Sequence, residues 1–383
     1  MKKTIAIVCG TRPEIIKMSP VYRALLEEGI FNVKLIHSGQ HEDMAEPFYR
    51  LFGMNIDVSI TLNRADCSDL SSLSARLLEK LSKALNTLSP DVVLVHGDTS
   101  TSAMAALASF YHKIPVGHVE AGLRTHNLYS PFPEELNRSL ISKIAQWHFA
   151  PTAEACANLF KEGIDDKTLF ITGNTVIDAA LSTKARIEQC KDKTAFEHYI
   201  DDAHSSHKKL VVVTTHRREN WNGGIANIAQ AVGELARKHS DVVFIWPVHA
   251  NAIVRNAVDE SLASYQDVKE QIMLTQPIGY EEMIWALSHA WLILTDSGGL
   301  QEEATAFKTP VLVLRESTER PELIASGGGV LVGTDKSLIM SSFETLYTSK
   351  ECYEQMSNIG FPFGNGTAAL TISEILTDSY KND

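Results

Sequence analysis

The sequence predicts an α/β protein of two doubly wound, parallel-sheet domains facing a central cleft. Short apolar runs alternate with amphipathic helical stretches along nearly the whole chain, which is the pattern of strand-helix-strand units. At 383 residues the chain exceeds what one ordinary core organises, so two domains is the natural count. The apolar runs end in glycine, hydroxyl and charged residues, and open parallel sheets hold ligands beyond those ends. The first domain is assigned residues 1–172 with 364–383 returning to it, and the second residues 173–363.

Composition narrows the function classes. With 44% apolar and 21% charged residues the chain has ample material for buried cores. A formal charge of −12 argues against nucleic acid or an anionic membrane as the main partner, since both favour a basic face. Cys9, Cys67, Cys156, Cys190 and Cys352 are odd in number and scattered, without zinc spacing or a disulfide framework. Reduced, buried thiols in cytoplasm are the expectation, and no metal site is expected. The start Met1-Lys-Lys-Thr-Ile-Ala-Ile-Val-Cys-Gly is too short for a signal peptide, and no window approaches a membrane span.

Thr4 to Cys9 reads as a buried strand, and Gly10-Thr-Arg-Pro-Glu14 opens a helix with Pro13 at a favoured early position. Arg12 and Lys17 are two cations near that helix start, where they oppose the dipole unless an anion compensates. Pro20 should kink or restart the helix. Val33 to Ser38 is a second strand, leading to Gly39-Gln-His-Glu-Asp43, and Ser68 to Leu88 an amphipathic packing helix.

Asp91 to His96 is a strand ending in Gly97-Asp98-Thr99, and Pro115 to Val119 another, ending in Glu120. Asp98 reads either as a helix cap or as a carboxylate aimed into the cleft. Pro131-Phe-Pro-Glu134-Glu135 opens the next helix, where acids in the first turn also offset the dipole. Taken together, Asp98, Glu120 and Glu134 lie at or just after strand ends that share one sheet edge. Such a gathering of like charge needs compensating cations, a ligand, or an acid kept protonated with a raised pKa. General acid/base chemistry uses that arrangement.

Trp147 to Ala150 and Thr168 to Ile171 continue the first sheet, and a helix runs from Gly173-Asn-Thr to about Gln189. Cys190 to Lys209 is polar with little apolar periodicity and reads as an excursion. From Lys209 a second set of strands follows: Leu210 to Thr214, Val242 to Trp246, Ile272 to Thr275, Trp291 to Thr295, Val311 to Leu314 and Val330 to Val332. The first of these ends in the basic loop His216-Arg217-Arg218. The fourth ends in Thr295-Asp-Ser297-Gly298-Gly299, before a helix read from Leu300 to about Phe307. Unpaired N–H groups at such a start, with no side chains in the way, suit a phosphate. Glu303 then suits a ribose diol, and Arg320 is a further cation, although Ser297 also reads as a plain N-cap. A last helix, to about Tyr380, is expected to return onto the first domain.

There is no Gly-x-Gly-x-x-Gly fingerprint after the first strand and no Gly-Lys-Ser/Thr phosphate loop, which disfavours dinucleotide oxidoreduction and P-loop hydrolysis. The chain instead resembles the non-hydrolysing UDP-N-acetylglucosamine 2-epimerases over almost its full length. The matching pieces are Gly10-Thr-Arg-Pro-Glu-Ile-Ile-Lys17, His96-Gly-Asp-Thr99, Val119-Glu-Ala-Gly-Leu-Arg-Thr125, Pro133-Glu-Glu-Leu-Asn-Arg138, Thr215-His-Arg-Arg-Glu-Asn220, Thr295-Asp-Ser-Gly-Gly-Leu-Gln-Glu-Glu303 and Thr318-Glu-Arg-Pro-Glu322.

The resemblance implies two Rossmann-like domains of the nucleotide-sugar glycosyltransferase type, and reversible conversion of UDP-N-acetylglucosamine to UDP-N-acetylmannosamine without an added cofactor. It places Arg12, Lys17, Asp98, Glu120 and His216 on substrate or catalytic positions, and Ser297, Gly298, Gly299, Glu303 and Arg320 on UDP positions. Arg217 joins them from its place beside His216. Met283 stands where relatives often carry an aromatic near the uracil, with Ile278 at a neighbouring contact. Gln40-His41 matches a pair that in bacterial relatives helps hold a second UDP-N-acetylglucosamine as activator. A homodimer is implied as well. The alternatives are a glycosyltransferase of the same architecture, a hydrolysing epimerase releasing free N-acetylmannosamine, and a non-catalytic nucleotide-sugar sensor.

Overall fold

A computed structural model describes residues 2–63, 67–190 and 192–381, with the backbone alone for 42–44. The chain divides into two compact units, residues 1–179 with 364–383, and residues 180–363. The division falls within the helix Thr175–Gln189.

Unit 1 is built on seven parallel strands: β1 (Lys3–Cys9), β2 (Phe31–His37), β3 (Val58–Ser59), β4 (Val92–His96), β5 (Val116–Val119), β6 (Trp147–Ala150) and β7 (Leu169–Ile171), in the order β3-β2-β1-β4-β5-β6-β7. Ile5 to Cys9 and Val92 to Val95 are fully buried, as expected of strands covered by helices on both faces. The two-residue β3 is too short to leave an apolar signature, and the sequence reading passes over it.

Unit 2 repeats the design with β8 (Lys209–Thr214), β9 (Val242–Pro247), β10 (Ile272–Thr275), β11 (Leu292–Thr295), β12 (Val311–Val313) and β13 (Gly329–Leu331), ordered β10-β9-β8-β11-β12-β13. Its core packs Val211, Val213, Phe244, Trp246 and Leu294 against Ile228, Val232 and Phe343. Burying each large side chain contributes about 1.5–3 kcal/mol.

In both sheets strand order reverses once at the centre, between β1 and β4 and between β8 and β11. Helices leave the two strands on opposite sides there, opening a crevice above their carboxyl ends. Gly10-Thr11, Gly97-Asp98, Glu120, His216-Arg217 and Ser297 sit where the chain leaves these four strands and β5, whereas Gln40-His41 follows β2, Ile278 follows β10 and Arg320 follows β12.

Three expectations need correction. The helix Arg12–Glu28 does not restart at Pro20 but runs through it as one element. Pro20 cannot donate to the Ile16 carbonyl, and the Ser19 hydroxyl takes over at 2.9 Å. The polar stretch after Cys190 contains the helix Ala195–Ser205, begun by Thr194 and Glu197, whose carboxylate accepts the Thr194 N–H at 2.7 Å. Finally, the five cysteines are free but only Cys9 is fully buried, and Cys190 is exposed.

The helix Ala368–Lys381 belongs to unit 1, where the Trp147 indole donates to the Ser379 hydroxyl at 3.1 Å. No helix among the described residues is long and apolar enough to cross a membrane.

Candidate active site

In unit 1, parallel pairing of β4 with β5 sets His96 beside Val119, so Gly97-Asp98 and Glu120 leave neighbouring strands together. Glu120 holds a left-handed backbone, φ 62°, which costs a non-glycine residue on the order of 1 kcal/mol or more. Its side chain, 10% exposed, is paired with the Lys17 ammonium and accepts the Asn174 amide at 2.9 Å. The His96 imidazole Nε2 lies 3.7 Å from the same carboxylate oxygen. Burial pushes the Glu120 carboxyl up, but Lys17 and His96 outweigh it and hold the acid well below the usual range.

Asp98 is matched separately, with Arg138 donating to its Oδ2 at 2.8 Å. Arg138 also pairs with the buried Glu135 at 3.0 Å. Glu134 is half-buried at the head of the helix Glu134–Ile144, and its side chain has no hydrogen bond or ion pair among the described residues. The three acids therefore do not form an uncompensated cluster. Asp98 and Glu120 each have a cation, and the raised-pKa alternative does not apply to Glu120.

The anion expected beside the first helix start is also supplied by the chain. Glu14 accepts the N–H groups of Gly10 and Thr11, at 2.9 and 2.7 Å, with one oxygen. With the other it accepts the hydroxyls of Thr99 and Ser102, at 2.6 and 2.9 Å. One buried carboxylate thus ties the loop after β1 to the loop after β4. Lys17 turns inward to Glu120, whereas Arg12 stays exposed over the Phe48 ring, 5.2 Å from its centre. The Gln40 side-chain oxygen accepts from Thr101 through N–H and hydroxyl, at 3.1 and 2.7 Å, and His41 is exposed.

In unit 2 the helix begins at Gly298 rather than Leu300, so both glycines lie in its first turn behind the N-cap Ser297. Neither has a positive φ. Glycine serves here for space: a side chain on Gly299 would meet nothing within 4 Å, and one on Gly298 would lie 3.8 Å from the Arg320 guanidinium and 4.0 Å from that of Arg217. Two cations therefore flank a helix N-terminus with room above it. Arg320 is held by the buried Glu302, and Glu303 is buried one turn into the same helix.

Asp296, wholly buried at the end of β11, accepts the N–H groups of His216 and Arg217, at 3.0 and 2.9 Å. It also accepts the Asn220 amide at 3.0 Å and lies 2.8 Å from His216 Nδ1. His216 is left 42% exposed. Met283, in the helix Tyr280–His289, and Ile278, in the loop before it, are half-buried.

Glu14, His96, Arg138, Asn174 and Asp296 were not picked out from the sequence. Thr11-x-x-Glu14 is a capping-box spacing, and Arg138 stands four residues past Glu134 on one helix face, so both carried a signal. His96, Asn174 and Asp296 are recognisable only once strands are paired.

Two doubly wound parallel sheets with polar groups gathered at both switch points define a two-domain α/β protein of nucleotide-sugar glycosyltransferase-like architecture. Comparison with known proteins sharpens this. A family model described as UDP-N-acetylglucosamine 2-epimerase matches residues 23–377. The chain is 42% identical over 372 residues to a UDP-N-acetylglucosamine 2-epimerase of Yersinia pestis, covering 97% of this chain and 98% of the relative. It is 41% identical to that of Escherichia coli K12 over 378 residues, 98% of each. The crystal structure of UDP-GlcNAc 2-epimerase from Neisseria meningitidis, bound to UDP-GlcNAc, superposes with a TM-score of 0.85 at 40% identity, over 98% of this chain and 100% of that one. This chain belongs to the UDP-N-acetylglucosamine 2-epimerase family.

Proposed function

We propose that the protein interconverts UDP-N-acetylglucosamine and UDP-N-acetylmannosamine without net hydrolysis, by elimination of UDP and its re-addition. The observation that carries this reading is the division of charge between the units: carboxylates each paired with a cation in unit 1, and two guanidinium groups at an open helix N-terminus in unit 2. Family membership and the ligand named for the Neisseria relative support the choice of nucleotide sugar.

Carbon 2 of the sugar has no adjacent carbonyl, so its proton is not acidic enough for a side-chain base alone. Breaking the anomeric bond supplies the driving force. A carboxylate takes the carbon 2 proton, the C–H electron pair forms the carbon 1–carbon 2 double bond, and the anomeric oxygen leaves with UDP. 2-Acetamidoglucal and UDP result. A proton then reaches carbon 2 on the opposite face, and the β-phosphate oxygen re-forms the bond at carbon 1.

Asp98, Glu120 and Glu134 are the acid/base groups of this reading. Lys17 holds Glu120 ionised. His216, Arg217, Arg320 and the Ser297-Gly298-Gly299 turn stabilise the departing diphosphate, with Arg12 as a further cation. Glu303 takes the ribose, and Ile278 and Met283 the base. The reading extends to a homodimer that supplies N-acetylmannosamine units for surface polysaccharide. A second UDP-N-acetylglucosamine acts as activator at Gln40-His41.

The test is incubation with UDP-N-acetylglucosamine alone in heavy water, followed by NMR. UDP-N-acetylmannosamine carrying deuterium at carbon 2 is expected. Free N-acetylmannosamine with UDP would place the chain in the hydrolysing branch, and an unchanged substrate would favour a transferase awaiting its acceptor.

A further inference from the structure

We propose that Asp296 is the positioning residue for His216, fixing the proton on Nδ1 and presenting Nε2 to the ligand as a cation-competent donor. This rests on the reading above, in which His216 faces the diphosphate, and goes beyond it by naming the group that sets the histidine's state.

The geometry is specific. Asp296 has no exposed surface, and its two oxygens face four donors: the His216 and Arg217 N–H groups, the Asn220 amide and His216 Nδ1. A carboxylate only accepts, so the 2.8 Å contact puts a proton on Nδ1. Nε2 is then a lone pair in the neutral ring and a donor in the charged one. Burial raises the Asp296 carboxyl, but its hydrogen bonds and the charge of His216 bring it below the usual carboxylate value, so the acid is ionised across the working range. With Nδ1 held by the acid, Nε2 is the ring nitrogen left for a ligand, and in the charged ring it can donate to a leaving diphosphate.

The other charges on the elements packed here divide in two. Arg217 and Arg218 on the same loop and Arg320 after β12 are the cations, and Arg320 is paired with Glu302. Glu219 is engaged with Arg315 at 2.8 Å. Asp296 is the acid in direct contact with the ring. Asn220 shares the work of pinning the loop, since its amide also donates to the Leu314 carbonyl at 3.1 Å, but its hydrogen bonds go to Asp296 and Leu314 and not to the imidazole. That difference separates positioning from simple support.

The experiment follows His216 itself in full-length protein labelled with 15N-histidine, without substrate. The resonance is assigned by its loss in His216→Asn. Wild-type protein should show the Nδ1–H tautomer. Asp296→Asn should mix the tautomers, while Asn220→Ala should leave the Nδ1–H tautomer in place even where it lowers Tm. In turnover assays Asp296→Asn should reduce kcat about 100-fold with a smaller change in KM, as expected for a residue that orients another. An unchanged His216 tautomer in Asp296→Asn would overturn the assignment, as would an Asn220→Ala protein showing the same mixing. If the tautomers mix in Asp296→Asn but His216→Asn retains full epimerisation, the positioning stands and the role given to His216 fails.

Discussion

The two units share a strand order and a switch point, yet they use that place in opposite ways. In unit 1 it is filled by the protein. A side chain on Gly10 would lie 2.0 Å from the Ser38 hydroxyl and 2.5 Å from that of Thr101. The N–H groups of Gly10 and Thr11 are taken by Glu14, and that of Thr101 by Gln40. In unit 2 the corresponding helix start after β11 carries two glycines, open space above Gly299 and two guanidinium groups at its edge. A buried carboxylate bridges each switch point, Glu14 in one and Asp296 in the other. A doubly wound sheet offers an anion site by its backbone alone, and side chains decide whether the protein's own acid or a ligand occupies it.

That contrast breaks first at Glu120. Glu120→Gln keeps the shape of the side chain and removes its charge, and should reduce epimerisation at least 10³-fold, in the range that loss of acid/base catalysis produces. UDP affinity, which this comparison assigns to unit 2, should stay within about threefold by calorimetry. A Glu120→Gln protein that turns over normally would remove the unit 1 carboxylate from the chemistry.

The reverse substitution lies in unit 2. Arg217→Ala and Arg320→Ala each remove one charged donor and should weaken UDP binding roughly 10- to 100-fold, the 1.5–3 kcal/mol of a charge-assisted contact. Both proteins should fold. Arg320→Ala also takes a cation away from the buried Glu302, so a lower Tm is expected for that variant. Equal UDP affinity in both variants and wild type would place the phosphates elsewhere.

How much of this was legible beforehand follows the same division. Nearly every strand was readable because parallel strands buried on both faces are continuous apolar runs, and the glycine turn of residues 297–299 is local in sequence. The pairings were not. Lys17 with Glu120, Asp98 with Arg138 and His216 with Asp296 join residues far apart in the chain, and register across the sheet decides them. The restart expected at Pro20 does not occur, because propensity is local whereas the Ser19 hydroxyl that takes the Ile16 carbonyl is a matter of geometry.

A pH experiment sharpens the picture of unit 1 as the self-contained half. His118, fully buried on β5, donates from Nε2 to the Gly97 carbonyl at 2.7 Å, and its Nδ1 has no hydrogen-bond partner among the described residues. Burial pushes its pKa down to about 3, aided by His148, Arg124 and His96, against 6.5 for an ordinary histidine. Between those values the unfolded chain binds a proton that the folded chain refuses. The stability from neutral His118 is complete above pH 6.5 and is lost as pH falls through that window. From pH 6.5 to 5 the loss is roughly 2 kcal/mol. His118→Gln, which can still donate to Gly97, should shrink the drop in urea-derived stability between pH 7 and pH 5 by about that amount. An identical drop in both proteins would mean His118 does not titrate as its burial requires.

The smallest effect expected is at Gly299, where the two functions of one position have opposite signs. The residue is exposed, in the first turn of its helix, at an ordinary φ, and nothing lies within 4 Å of where a methyl group would go. Gly299→Ala therefore restricts the unfolded chain without a clash in the folded one, and should raise the ligand-free stability by a few tenths of a kcal/mol, up to ~1. The same methyl stands in the space a phosphate needs to reach the N–H groups of the turn, so UDP affinity should fall, by about tenfold. At Gly10 alanine should instead destabilise, because the place is already taken by Ser38 and Thr101. Thermal melts with and without UDP read both signs in one experiment: Gly299→Ala should melt higher alone and gain less from the ligand. A variant that gains as much from UDP as wild type would show that the open space above Gly299 is not where the anion sits, and the contrast between the two switch points would then lose its functional half.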